Sequence, residues 1–186
     1  SMGKAKDSLT PKTTAFINAQ KMFFVATAAK NGYINLSPKG GAEIKVVDSK
    51  KIVWLNYTGS GNETAAHLLQ LPRITLMFCA FEGRPNILRV YGEGKCHHPG
   101  DPSYTSYISL FKDTAGVRQI VEITVERVTD SCGFGVPLMQ FQGHRPELKE
   151  WIDSKGEEGI KAYWKAKNVN SIDGFDTGIR PYLDPE

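Results

Sequence analysis

Apolar residues in this chain come in short bursts separated by glycine, proline and Asx turns, the spacing of a β-rich fold. Residues 22–28 (MFFVATA) are aromatic and β-branched and predict a buried strand. Lys30-Asn31-Gly32 carries the Asn-Gly turn signal, so residues 33–37 return antiparallel. After Pro38-Lys39-Gly40-Gly41, residues 43–47 and 51–57 give two further strands around Asp48-Ser49. Residues 73–80 (RITLMFCA) and 87–95 (ILRVYGEGK) add two more. Residues 116–128 predict a long strand, with Val121, Ile123 and Val125 alternating onto one face.

Helices fall between and after these strands. Thr10-Pro11 supplies a hydroxyl N-cap and a proline at the first helical position, with Ala15, Phe16 and Ala19 forming an apolar side. Ser60 and Glu63 have capping-box spacing at a helix over 62–71 that Pro72 stops. Asp101-Pro102 starts another, carrying Tyr104, Tyr107, Ile108 and Phe111. From Pro146 the chain turns helical through Trp151 and again over 157–167, and residues 168–186 are Gly-, Asp- and Pro-rich and predict irregular structure. Four strands pass before the first internal helix, whereas a doubly wound sheet needs a helix after nearly every strand. The fold class is therefore mainly β (α+β), an antiparallel barrel with peripheral helices. Residues 1–186 make one domain, with its core at about 11–145 and a C-terminal helical extension over 146–186.

Composition narrows the partners. A hydrophobic share of 40% and a charged share of 23% describe an ordinary globular chain. The net charge of +3 is small and its positive residues are scattered, which argues against a nucleic-acid surface. No apolar run approaches the roughly 20 residues that cross a bilayer, so no membrane is expected either. The first twenty residues hold Lys4, Lys6, Asp7 and Lys12 without an apolar signal core. Three cysteines without CxxC spacing make no disulfide framework, and a cytoplasmic location is expected.

Two stretches carry candidate chemistry. Gly59-Ser60-Gly61-Asn62-Glu63-Thr64 follows a strand and opens a helix, so free backbone N–H groups and the helix dipole face outward, either as a capped helix start or as a seat for an anion. It is no dinucleotide fingerprint, because Thr64 stands where GxGxxG needs glycine. Asn35-Leu36-Ser37-Pro38-Lys39-Gly40 places a lysine after a rigid proline and ahead of two glycines that admit a ligand to the backbone. An ammonium fixed there suits phosphate or an electron-rich heterocycle. Cys96-His97-His98 is not expected to bind metal, since adjacent strand residues point to opposite faces. Cys79 and Cys132 are expected to be small buried apolar residues, and Phe134 and Phe141 to line a pocket.

The ordered set FVATA (24–28), NLSPKG (35–40), TGSGNETAAHL (58–68), PRITLMFCAFEG (72–83), ILRVYGEG (87–94) and SCGFGVP (131–137) resembles the pyridoxamine 5′-phosphate oxidase-related FMN-binding proteins, with their split β-barrel flavin fold. GEEGIKAYWKAKN (156–168) is similar to a C-terminal stretch of the same group. The resemblance implies a homodimer holding FMN between two subunits. It places Ser37, Pro38, Lys39 and Gly40 at the cofactor from one strand end, and Leu55, Asn56, Tyr57 and Thr58 beside the isoalloxazine. Asn62, Glu63 and Thr64 would sit at the phosphate, and Arg89 and Val136 complete the implied set. Where the oxidases carry an Arg-Lys pair at the helix start, this chain has Glu63-Thr64, so the phosphate would lean on backbone N–H groups and Lys39, and the substrate is not assigned as pyridoxamine phosphate.

A barrel this small has a filled interior, so a ring the size of isoalloxazine must lie in an outside groove. The partner subunit is expected to wall that groove with the Phe81-Glu82-Gly83 turn or residues 132–137. The leading expectation is an FMN-dependent oxidoreductase, with Lys39 stabilising negative charge on the reduced ring and no residue named as catalytic. The alternative is a non-enzymatic protein that stores or senses flavin or haem in the same groove, and a nicotinamide-dinucleotide enzyme is a third.

Overall fold

The computed structural model describes residues 4–184. Helix α1 (Pro11–Ala19) opens on the Thr10 cap, where Thr13 N–H donates to Thr10 Oγ1 at 3.2 Å and Thr10 N–H to Thr13 Oγ1 at 2.8 Å. This reciprocal bonding lets Thr13 go inward, one turn ahead of Ile17. Those two residues form the buried side; Ala15 and Ala19, expected there, are exposed, and Phe16 is half-buried.

Strands β1 (Met22–Thr27), β2 (Asn35–Gly40), β3 (Ile44–Asp48) and β4 (Lys51–Tyr57) precede α2 (Glu63–Gln70). Strands β5 (Arg73–Cys79) and β6 (Ile87–His97), helix α3 (Pro102–Ile108), strand β7 (Val117–Ser131) and helix α4 (Glu147–Lys167) follow. Phe111 lies beyond the end of α3, but with Tyr104, Tyr107 and Ile108 it covers Val53, Leu55, Val117 and Ile120. Gly156, at φ 65°, breaks α4 where the two helical stretches meet.

The seven strands make one antiparallel sheet in the order β2-β1-β5-β6-β7-β4-β3. It curls into a half-barrel, because Phe23 on β1 meets Trp54 on β4 at 6.0 Å between ring centroids although three strands separate them in the order. Phe23 also stacks on Phe78 of β5 at 5.5 Å. Val25, Ile52, Leu76, Leu88, Val121 and Ile123 fill the remaining interior. The edge strands β2 and β3 are joined by a single 3-10 turn, Gly41–Glu43, so the seam of the split barrel lies beside Lys39.

A second apolar cluster, Ile152, Ile160, Trp164 and Ile179, holds α4 and the tail against Tyr57. Trp164 Nε1 donates to Thr58 Oγ1 at 2.8 Å, which fixes this layer to the end of β4. Among the described residues no helix is long and apolar enough to cross a membrane.

Candidate functional site

Lys39 projects from β2 across the seam and donates from Nζ to Asn56 Oδ1 on β4 at 2.9 Å. Asn56 itself is 1% exposed. Burial pushes the Lys39 pKa down to about 8, helped by the nearby Arg118 guanidinium and opposed by Glu43. Glu43, on the turn between the edge strands, is driven up to about 7 by burial, against the pull of Lys39 and the Gly40 backbone. Gly41 is required at this turn: a Cβ there would strike the Gln20 carbonyl, and its N–H donates to Lys21 O at 2.8 Å.

Arg118, 2% exposed, sits one residue into β7. Its Nη1 donates to Gly61 O at 2.8 Å and Gly59 O at 3.3 Å, and Nε donates to Gln119 Oε1 at 2.9 Å. Burial lowers its pKa to about 10. Neither Lys39 nor Arg118 forms an ion pair among the described residues. Two cations near each other, Lys39 half-buried and Arg118 buried, with Glu43 as the acidic neighbour but no carboxylate within ion-pair distance, give the place a positive bias that favours an anion.

Beside Lys39 lies a hollow of 780 Å³, lined by Met22, Pro38, Lys39, Phe81, Met139 and Phe141 among others. This volume lies in the range of small-molecule sites. A second hollow of 700 Å³ shares Gly40, His144 and Arg145 with it and is lined by Glu43, Leu55 and Tyr57. The Tyr57 hydroxyl donates to Asp113 O, and burial raises its pKa to about 12. The structure thus brings Pro38, Lys39, Gly40, Leu55 and Tyr57 around two adjoining hollows, with Asn56 bonded to Lys39 beside them. Phe81-Glu82-Gly83 lines the first hollow within the same chain. Phe141 lines it too, whereas Phe134 is exposed elsewhere.

The remaining implied positions lie apart from the hollows. Ser37 is half-buried on β2 opposite Val25. Thr58 is buried and spends its hydroxyl on Gly116 O at 2.8 Å. Asn62 is the N-cap of α2 by position, but its amide donates to Asn168 O at 3.1 Å and accepts from Gln119 Nε2 at 2.9 Å. Thr64 Oγ1 accepts from Asn35 Nδ2 at 3.1 Å. The expected Ser60–Glu63 capping box does not form: Glu63 is the first helical residue rather than the third, and its carboxylate takes the Ile172 N–H instead. Arg89, opposite Thr129 near the far end of β7, reaches Ser131 Oγ at 3.4 Å. Val136 is half-buried in the loop after β7, where its N–H donates to Gly133 O at 3.0 Å.

Cys79 is buried as expected, but Cys132 is exposed, because it stands past β7 where the chain leaves the sheet. Cys96, His97 and His98 face separate surroundings: Cys96 packs against the core, His97 bonds Glu122 and Ser103, and His98 stacks on Tyr182 at 4.3 Å. Arg118 and Glu43 were not singled out from the sequence. A usable signal for Arg118 was the run Val117 to Val121, which lacks the alternation of a half-solvated strand and so buries both faces.

Residues 9–132 match the family described as pyridoxamine 5′-phosphate oxidase. The chain belongs to the pyridoxamine 5′-phosphate oxidase-related family. It is 30% identical over 195 residues to the pyridoxamine 5′-phosphate oxidase family protein ustO of Aspergillus flavus, covering 94% of this chain and 78% of that protein. Among solved structures it is similar to HupZ of Group A Streptococcus, with a TM-score of 0.56 and 23% identity over 67% of this chain and 94% of that one. It is also similar to HutZ, described as the heme storage protein from Vibrio cholerae, with a TM-score of 0.50 and 14% identity over 67% of this chain and 96% of that one. The half-barrel is the fold this chain shares with these solved structures, and the hollows lie along its seam.

Proposed function

We propose that the chain is an FMN-binding flavoprotein that works as a homodimer and acts as an FMN-dependent oxidoreductase on a small molecule. The observation that carries this reading is Lys39, which lines a largely apolar hollow of 780 Å³ without an ion-pair partner among the described residues, with the buried Arg118 near enough to depress its pKa. An aromatic ring with an anionic tail fits that combination of apolar wall and positive charge. Pro38, Phe81, Met139 and Phe141 would hold the ring, and Lys39, oriented by Asn56, would supply the positive charge at its edge. Arg118 braces the Gly59 and Gly61 carbonyls and holds the turn whose Ser60 and Gly61 are exposed, where the phosphate would meet backbone donors. Bound FMN would supply the electron-transfer chemistry, and the protein would bind, orient and shield it. Glu43, with its pKa near neutrality, is the group in this space best suited to hold or release a proton. Three free cysteines fit a reducing compartment, the cytoplasm.

A second reading, haem held in the same space, is favoured by His144, which lines both hollows and meets the Phe141 ring at 5.1 Å. An absorbance spectrum of the purified protein, with mass identification of what denaturation releases, separates the two. About one FMN per chain, held more tightly than riboflavin, is expected. A Soret band, or equal affinity for FMN and riboflavin, would overturn the FMN assignment.

A further inference from the structure

We propose that Glu63, His67 and Asp173 form a binding site for one divalent transition-metal ion of the zinc class, which clasps the C-terminal loop onto α2. One donor atom from each of the three lies within 4.8 Å of the others. His67 is 0% exposed; its Nδ1 bonds Thr27 Oγ1 at 2.9 Å, while Nε2 is buried without a partner. A buried ring nitrogen left empty is costly and calls for an occupant. When Nδ1–H donates to Thr27, the lone pair stands on Nε2, the arrangement by which a neighbouring acceptor orients a metal-binding imidazole. Thr27 is fixed in turn by Asn35 Nδ2 at 3.0 Å.

The two carboxylates come from segments distant in sequence and are already oriented by backbone donors. Glu63 accepts from Ile172 N–H at 3.0 and 3.1 Å through its two oxygens, and Asp173 Oδ2 accepts from Tyr33 N–H at 3.1 Å. Both keep free lone pairs, and neither forms an ion pair among the described residues. Gly32, at φ 92°, makes room: a Cβ there would stand 2.5 Å from Asp173 carboxylate atoms. Two half-exposed carboxylates converging on a buried imidazole nitrogen without a partner make a cation a favourable occupant. One imidazole with two carboxylates suits zinc and its first-row neighbours, whereas magnesium and calcium prefer all-oxygen shells. For bonds of about 2.0–2.2 Å the three donors, now within 4.8 Å of one another, would draw in around the ion.

The consequence is structural. The loop that carries Asp173 begins at Asn168, whose amide donates to Gly59 O at 2.9 Å and whose carbonyl accepts from Asn62. An ion at Asp173 would therefore pin the segment that roofs the Gly59–Asn62 turn. This inference stands independently of the flavin reading.

Chelator-stripped protein titrated with zinc chloride by calorimetry, with magnesium chloride as control, tests it. About one zinc per chain is expected, with weak or no magnesium binding. Asp173→Asn and His67→Gln should each lower zinc affinity at least roughly tenfold. His67 is buried, so if His67→Gln does not fold, Asp173→Asn in the tail and Glu63→Gln carry the test. Zinc should also slow amide exchange at Ile172 and Tyr33 in the wild type and not in Asp173→Asn. Absence of saturable zinc binding, or unchanged affinity in Asp173→Asn, would overturn the site. So would an imidazole NMR spectrum showing both His67 nitrogens protonated at neutral pH with zinc present, because the imidazolium would then be the cation.

Discussion

The Lys39 ammonium and the Asn56 amide oxygen, 2.9 Å apart, join edge strand β2 to β4, the strand next to the opposite edge of the sheet. The bond spans the seam of the half-barrel, so the charge is held by structure on both sides rather than by one flexible stem. Replacing Lys39 by alanine should weaken FMN binding by about 1–3 kcal/mol, the scale of a lost charged hydrogen bond. Folding should survive, since the variant also removes a poorly solvated charge. Fluorescence titration beside a thermal melt checks both halves; unchanged affinity would return Lys39 to a structural role.

Stability of the cofactor-free protein should pass through a minimum near pH 7–8. Glu43 has its pKa raised from 4.5 to about 7, so its stabilising contribution is complete below 4.5 and is lost as pH rises through 7. Lys39 has its pKa lowered from 10.5 to about 8, so its contribution is complete above 10.5 and is lost as pH falls through 8. Denaturant melts between pH 4.5 and 10.5 should show the trough, with Glu43→Gln flattening its acid side and Lys39→Met its alkaline side. FMN affinity should fall above about pH 8 as Lys39 loses its proton. A flat stability profile for wild type would refute the electrostatic description of this site.

Trp164, 6% exposed, is tied by its indole N–H to Thr58, whose hydroxyl passes the bond to Gly116 O at 2.8 Å. The C-terminal layer is thus fastened to β4 and to the approach to β7. Trp164→Ala should destabilise the protein by about 3–5 kcal/mol, and Trp164→Phe by about 1–3 kcal/mol, with Thr58 left to the Gly116 carbonyl alone. Urea melts give both values. A tail that contributed nothing would leave both variants at wild-type stability.

Much of the fold was legible because it is written locally. Prolines at 11, 72 and 102 mark helix starts and a stop, and the Asn31-Gly32 turn and the apolar bursts set the meander. Resemblance to the oxidase-related family supplied the half-barrel and, with it, Lys39 and residues 55–57 near one space. What was illegible depends on distant chain. The capping box at Ser60 and Glu63 loses to Ile172, 109 residues away, and Asn62 is absorbed by Asn168 and Gln119. Arg118 looks like a surface strand residue until α3 and the Gly59–Gly61 turn are seen to pack on early β7. Thr13 replaces alanine on the inner face of α1 because its cap bonding satisfies the hydroxyl.

The last prediction is that cofactor binding and homodimerisation are linked. Each chain walls the first hollow with its own Phe81 and Phe141, so a partner would add cover elsewhere as well. Apolar side chains remain open on two segments: Ile34 and Leu36 before and on edge strand β2, at 77% and 70% exposure, and Phe134 and Leu138 after β7, at 77% and 80%. An edge strand with free backbone groups and apolar neighbours favours a covering partner over water. Two-fold pairing through these segments would bury them on both chains at once and create two equivalent sites. A ligand that touches the assembled form stabilises it by mass action. Sedimentation should therefore show a dimer that FMN tightens. Leu138→Asp combined with Phe134→Asp should shift the chain toward monomer and weaken FMN binding together, while leaving the barrel core intact. A chain that stays monomeric while saturated with tightly held FMN would defeat the linkage, as would a double variant that loses the dimer but keeps its FMN affinity.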